Sequence, residues 1–456
     1  MVRLNLRQPP MRALFSNPPW WDGTEWKWGM IPLRRVGVRA GSRWPFTYPS
    51  LSFPGWRAPF EYLPMPFFMM FAAAYAQKHA GADVEVRDSI ARRESYDRYF
   101  QAVADGRFDY IFLESASPSW EHDARLIRRL HEVSPASRII LCGPITADKA
   151  EPILAELPVT ACLLGEYEKN AVAVLQGRTG VIPHDLLTES EMNAAPWPIY
   201  DEAVATVYYD RNPRGGRLPQ AQVWASRGCP FKCLFCVWPA TMTGNDPDGT
   251  GFRTVRRYTP EWLEPFLRNL VKRYRYRSIY FDDDTFNLGT RHTEAICDLM
   301  RRIGLPWAAM CRADTVRFET WERMRRSGCY GVKLGIETGN QYVMDKIVNK
   351  SLDLNLVREV VQHIKRLGMS VHGTFTIGLP GETPDQMKET IRFAHSLGLD
   401  SMQISGTAEI EGTPLHTLRV KGMLSTFEGA RMAADYDREV DGAKKWARLI
   451  RELRDN

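Results

Sequence analysis

Cysteine is scarce. Eight residues in 456, unevenly spaced, exclude a disulfide-stapled scaffold and favour a reducing compartment with metal-binding or catalytic thiols. Long apolar runs are missing as well. The longest stretch, FFMMFAAAYA from Phe67 to Ala76, is about half of what a bilayer-crossing helix needs, so no membrane span is expected. The N-terminal MVRLNLRQPP has no apolar core of the secretory type, and a cytoplasmic protein is expected. Charge of one sign is nowhere concentrated. Lys plus Arg total 60 against 54 acidic residues, and the net +6 is spread without a basic block, which argues against nucleic acid as an obligate partner. Internal repeats and low-complexity tracts are also absent.

What is present is the balance of a globular chain with a large core: 44% hydrophobic, 25% charged, mean hydropathy −0.34. The length suits two or three domains. Tryptophan is abundant, and six of its fourteen residues (Trp20, Trp21, Trp26, Trp28, Trp44 and Trp56) lie within residues 16–65.

In the first half, short apolar strands are expected at residues 11–15, 83–88, 110–114, 138–142 and 160–164. Helices are expected at 66–79, 95–104, 120–133, 147–157 and 166–176. This alternation signals an α/β fold with a doubly wound parallel sheet, which binds ligands at the carboxyl ends of its strands. A Pro-containing stretch begins a linker, placed at 188–214. Beyond it six further strands are expected at 222–226, 278–281, 307–311, 331–335, 371–377 and 401–405, with a helix at 260–273 of clear helical periodicity. Six such βα units suit a partial barrel with its chemistry at the carboxyl strand ends. The expected division is 1–187, linker 188–214, barrel 215–420 and a charged helical tail 421–456.

The sharpest signal is SRGCPFKCLFC, which spaces Cys229, Cys233 and Cys236 as C-x3-C-x2-C. Three thiolates on one loop can hold three irons of a [4Fe-4S] cluster and leave the fourth open. The alternative is a zinc site completed by a distant Cys or His; it is weakened because neither follows closely after Cys236.

At these residues the sequence resembles the radical S-adenosylmethionine (SAM) superfamily, with Phe235 as the aromatic before the third cysteine, and the resemblance extends through the second half. It implies that the open iron is chelated by SAM, whose cleavage yields a 5′-deoxyadenosyl radical that abstracts hydrogen from a substrate. It also implies a reductant such as flavodoxin or ferredoxin. On the same ground Phe235, Trp238, Asp283, Arg312, Glu337 and Gly378 become SAM candidates. Of these, Asp283 belongs to the run Asp282–Asp284 that could equally cap a helix, and Arg312 could pair with Asp314 instead. The turn around Gly378 could be a requirement of the fold alone.

The first half resembles the cobalamin-binding domain that precedes the radical SAM domain in one large subfamily. A Rossmann-like cobalamin domain followed by a partial (β/α)6 barrel is the fold this implies. Cobalamin candidates are Pro18, Arg39, Ser42, Ser115, Ser117, Gly143, Pro144, Gly165 and Glu166. The cobalt-ligand motif D-x-H-x-x-G is absent, and His122 in WEHDAR lacks its glycine, so base-off cobalamin without a protein histidine is expected. The subfamily's commonest activity is methylation of an unactivated carbon in a small-molecule substrate. Ring contraction, cyclisation or oxidation with the same cofactors is the alternative, and a non-catalytic corrinoid or cluster protein a third reading.

Overall fold

The computed structural model describes residues 10–27, 31–36, 46–49, 62–243 and 253–421; of 21–27, 31–36 and 46–49 it gives the backbone alone. The chain divides into two compact units, Met1–Tyr208 and Tyr209–Asn456.

In the first unit six strands form one parallel sheet: β1 (Arg12–Asn17), β2 (Asp83–Asp88), β3 (Tyr110–Glu114), β4 (Arg138–Cys142), β5 (Ala161–Leu163) and β6 (Gly180–Ile182). Their spatial order is β2-β1-β3-β4-β5-β6. The direction of winding reverses between β1 and β3, a topological switch of the kind at whose carboxyl ends open α/β sheets bind ligands. Helices α1 (Phe67–Ala80), α2 (Tyr96–Gly106), α3 (Trp120–Val133), α4 (Thr146–Glu156) and α5 (Glu168–Leu175) cover the sheet. Such cover explains why every residue of β3 is buried and why it reads as a continuous apolar run. Ile111, Leu113, Ile139 and Leu141 pack against Leu126, Ile127 and Leu130, the apolar stripe of α3.

Two features depart from expectation. Strand β6 is short and weakly apolar, so only its pairing with β5 from Gly180 to Ile182 makes it a strand. The stretch from residue 188, expected as linker, carries a short helix (Glu189–Ala194) and returns to the first unit through Asp201 and Tyr208. Asp201 accepts the main-chain N–H of Asp88 at 2.9 Å, and the Tyr208 hydroxyl donates to Asp88 at 3.0 Å. The tryptophan-rich segment contributes three short antiparallel strands (Trp21–Lys27, Ile31–Val36, Phe46–Pro49). Trp20 is buried; Trp28, Trp44 and Trp56 lie outside the described residues, as do Arg39, Ser42 and the tail beyond Lys421.

In the second unit β7 (Gln220–Val223), β8 (Ser278–Phe281), β9 (Trp307–Cys311), β10 (Cys329–Glu337), β11 (Ser370–Ile377) and β12 (Ser401–Gly406) are parallel and stand in sequential order. Helices α6 (Pro260–Tyr274), α7 (Thr290–Ile303), α8 (Phe318–Arg326), α9 (Leu354–Arg366) and α10 (Pro384–Ser396) intervene, giving the expected partial barrel. Alternation along β10 sends Val332, Leu334 and Ile336 into the fully buried layer, whereas Lys333, Gly335 and Glu337 keep partial exposure.

Residues 210–217 underlie the amino ends of these strands. Pro213 lies against Gly331, where an added Cβ would come within 2.9 Å of the ring. Arg217 and Ser278 exchange hydrogen bonds of 3.0 and 2.7 Å, and Lys333 pairs with Asp210 at 2.5 Å. Both charges of that pair are largely out of water, so removing one strands the other. Lys333→Met is expected to lower the unfolding free energy of the second unit by about 3 kcal/mol. In urea melts the Asp210→Asn/Lys333→Met double variant should recover to within about 1 kcal/mol of the parent.

Candidate functional site

The cysteine loop leaves β7 without entering a helix. Ser226, expected to end the strand, instead pairs with Arg227 antiparallel to Arg256–Arg257, and this pinches the base of the loop. Two carboxylates following β8 then fix its course. Asp283 accepts the Ala225 N–H at 3.1 Å and the Ser226 hydroxyl at 2.6 Å; Asp284 accepts the Gly228 N–H at 3.0 Å and the Thr243 hydroxyl at 2.7 Å. Asp283, a SAM candidate, therefore has both oxygens engaged by the loop itself, and it does not cap a helix, since α7 begins only at Thr290. At Gly228 (φ 93°) a side chain would meet Thr254 O at 2.1 Å.

The far side of the loop is tied to other strand ends. Leu234 donates its N–H to Val348 O at 2.9 Å and accepts the Leu415 N–H at 2.9 Å, and the Asn349 side chain donates to Lys232 O at 3.2 Å. Phe235 and Cys233 pack against Val343, Val348 and Leu379. Trp238 is half-buried. Burial pushes the Cys229 and Cys233 thiols above their ordinary range; at Cys233 the Lys350 ammonium is the largest opposing influence, with Arg312 acting in the same sense. Among the described residues no three Cys, His, Asp or Glu side chains are grouped as one metal ion requires. In a cluster each thiolate binds a separate iron.

Arg312, at the end of β9, is 3% exposed. Its guanidinium stacks 3.7 Å from the Phe231 ring centroid, grips Asp314 through two hydrogen bonds of 2.5 and 2.9 Å, and donates to Lys350 O at 2.6 Å. Its Nη1 is buried and has no partner. Asn287 holds the Arg312 main chain in both directions, at 2.7 and 2.9 Å.

Glu337, at the end of β10, has φ 72°, a left-handed conformation costing a non-glycine residue about 1–3 kcal/mol. The β10–β11 register slips between Gly335 and Glu337, and this irregularity turns the carboxylate to Lys350, 2.9 Å away, and to the Thr376 hydroxyl at 3.2 Å. After β11, Gly378 (φ 75°) and Gly381 (φ 80°) shape the turn that Glu382 closes by accepting the Leu379 N–H at 3.1 Å. Burial pushes Glu382 up to about 7.

In the first unit, Pro18 follows β1 and Ser115 and Ser117 follow β3, so all three stand at the switch. Ser115 spends its hydroxyl on buried Asp123, at 2.5 Å; Ser117 Oγ is buried and unpartnered. At Gly143 (φ 103°) a Cβ would lie 2.2 Å from Ser115 O, and at Gly165 (φ 76°) 2.4 Å from His184 Nδ1, itself a buried atom without a partner. Pro144 follows Gly143 in the same turn, and Glu166 is 1% exposed. His122 lies on α3, its ring 5.8 Å from that of Trp20 and its Nδ1 3.3 Å from Arg125.

Residues 225–394 match the model of the radical SAM superfamily. The second unit carries a radical SAM domain. An uncharacterized methyltransferase of Pyrococcus horikoshii is 25% identical over 353 residues, 73% of this chain and 74% of that protein. Cytidylyl-2-hydroxyethylphosphonate methyltransferase of Streptomyces wedmorensis is 27% identical over 252 residues, 52% of this chain but only 45% of the relative. Among solved structures, the radical SAM methyltransferase TsrM of Kitasatospora setae, determined with cobalamin and a [4Fe-4S] cluster, superposes with a TM-score of 0.62 at 15% identity, covering 79% of this chain and 76% of that one.

In the second unit, sequence reasoning singled out the run Asp282–Asp284 but missed Asn287 and above all Lys350. Neither belongs to a motif: Lys350 stands just past Ile347 and Val348, thirteen residues beyond Glu337. In the first unit it missed His184. Only the fold brings these residues to the site.

Burial pushes Asp283 from 3.8 up to about 7, so the folded chain keeps a proton that the unfolded chain has released. That contribution to stability is full below the unfolded value and is lost as pH rises toward the folded one. Unfolding free energies between about pH 4 and pH 7 should accordingly fall more with pH in the parent than in Asp283→Asn; parallel slopes would refute the assignment.

Proposed function

We propose that the protein is a cobalamin-dependent radical SAM enzyme that methylates an unactivated carbon of a small-molecule substrate. One observation carries the reading: the cysteine loop is braced at the carboxyl end of a six-stranded partial barrel, with the buried, unpartnered Nη1 of Arg312 beside it. That donor fits an anionic group such as the SAM carboxylate. A second parallel sheet in the same chain, with a topological switch and the unpartnered Ser117 hydroxyl, fits a corrinoid.

Cys229, Cys233 and Cys236 would hold the cluster, leaving one iron open. Arg312 would take the SAM carboxylate, Glu337 the sugar hydroxyls, and Phe235 with the Gly378 turn the apolar flank of the ligand. Asp283 and Asp284 shape the loop. Pro18, Ser117, Gly143, Pro144, Gly165 and Glu166 would border the corrinoid, and Ser115 would position the β3 end through Asp123. When bound, these groups supply a hydrogen-abstracting 5′-deoxyadenosyl radical and a transferable methyl group. The chain's own part is to fix their orientation: the Asp314 pair holds Arg312 flat against Phe231, and the Lys350 pair holds Glu337. A flavodoxin or ferredoxin would be the electron source, and the cytoplasm its setting.

The test is anaerobic incubation of reconstituted protein with SAM, cobalamin, reductant and candidate metabolites. The expected result is 5′-deoxyadenosine together with a product heavier by one CH2. Cys233→Ala should lose iron and form no 5′-deoxyadenosine. A product lighter by hydrogens would replace methylation with oxidation or cyclisation, and absence of 5′-deoxyadenosine with every substrate would leave a non-catalytic protein.

A further inference from the structure

Lys350 is 8% exposed and belongs to no strand, helix or motif at the site. Its ammonium donates to Glu337 Oε1 at 2.9 Å and to Gly335 O at 2.7 Å. Its carbonyl accepts from Arg312 Nη2 at 2.6 Å, and its N–H donates to Met344 O at 3.1 Å. The space it occupies is reserved by glycine, since a Cβ on Gly335 would lie 3.0 Å from its Nζ and 2.8 Å from Glu337 Oε1. Asn349 and Ser351 on either side are left-handed, at φ 57° and 50°. The same segment grips the cysteine loop through Val348 O and the Asn349 side chain, on the residues flanking Cys233. One strained turn thus joins the residues flanking Cys233 to Arg312 and Glu337.

A buried ion pair is weak as a stabilising device, because an apolar pair of the same volume does as well. Strain kept at a site points to function. We propose that Lys350 is a positioning residue that holds the Glu337 carboxylate in its left-handed setting and fixes a positive charge on the turn that grips the cysteine loop around Cys233. This rests on the cluster reading above. A cluster held by three thiolates is anionic, and its one-electron reduction adds a further negative charge; a fixed cation on the turn that grips the loop around Cys233 favours the reduced state.

The experiment uses full-length, anaerobically reconstituted protein with Lys350→Met, Lys350→Gln and Lys350→Arg. Three quantities are measured: iron and sulfide per chain, the SAM dissociation constant, and the cluster midpoint potential in a mediated dithionite titration. Lys350→Met should bind SAM roughly 10-fold more weakly, the usual scale for loss of an outer-shell partner. Its potential should also shift to more negative values. Lys350→Arg should restore the potential. Lys350→Gln, which keeps a donor without the charge, serves should the Met variant fail to fold: a lowered potential supports the proposal. A Gln variant with parental potential and SAM affinity would show that Lys350 only braces the fold and would overturn it. Parent protein that takes up no iron and sulfide would instead bring down the cluster reading itself, a distinct outcome.

Discussion

Carboxylate oxygens of Asp283 and Asp284 accept hydrogen bonds from the main chain and hydroxyls of the cysteine loop, and the site depends on this arrangement. A loop that carries three thiols outside any helix or strand leaves backbone N–H groups that need acceptors. Aspartates at the end of a rigid strand supply acceptors whose positions the barrel determines. The loop then needs only a glycine at residue 228, where Thr254 O passes too close for any side chain. From that base Cys229 comes next to Thr285, while the far side, with Phe235 against Leu379, is tied by Val348 and Asn349.

Around this base the second unit repeats one device, a charged residue at a strand end locked by nearby partners. Arg312 after β9 has its guanidinium held by Asp314 and its main chain by Asn287 from the β8 side, and Glu337 at the end of β10 is held by Lys350 and by Thr376 on β11. In the Arg312–Asp314 and Glu337–Lys350 pairs, opposite charges offset the cost of taking each other out of water. What remains unsatisfied is informative. Arg312 Nη1 in this unit, and Ser117 Oγ with His184 Nδ1 in the first, are buried donors or acceptors without partners, each at a carboxyl strand end where ligands of such sheets bind.

Much of the fold was legible because parallel strands buried on both faces appear as short apolar runs between amphipathic helices. YIFLE, RIILC and WAAMC stand out in this way, and the structure places a strand on each. The elements that were not legible are those made by pairing alone. Gly180–Ile182 is a strand because β5 lies beside it, and Ser226–Arg227 turn away from the barrel because Arg256–Arg257 lie opposite. Residues 188–208 looked like a connector because they are rich in proline and polar residues, yet Asp201 binds Arg92 through both carboxylate oxygens within the first unit.

For the site, the sequence alone determined the residue types and their strand-end placement: three thiols at fixed local spacing, and an Arg, a Glu and a glycine turn each just past an apolar run. Local spacing is enough for that, since a few bonds of chain join the residues concerned. Only the tertiary structure decided the partners. Asp283 bonds the cysteine loop, Ser115 bonds Asp123 and Lys350 bonds Glu337, and residues such as these, apart along the chain, meet only through the register of strands. Register is a property of the whole sheet, and no single segment encodes it.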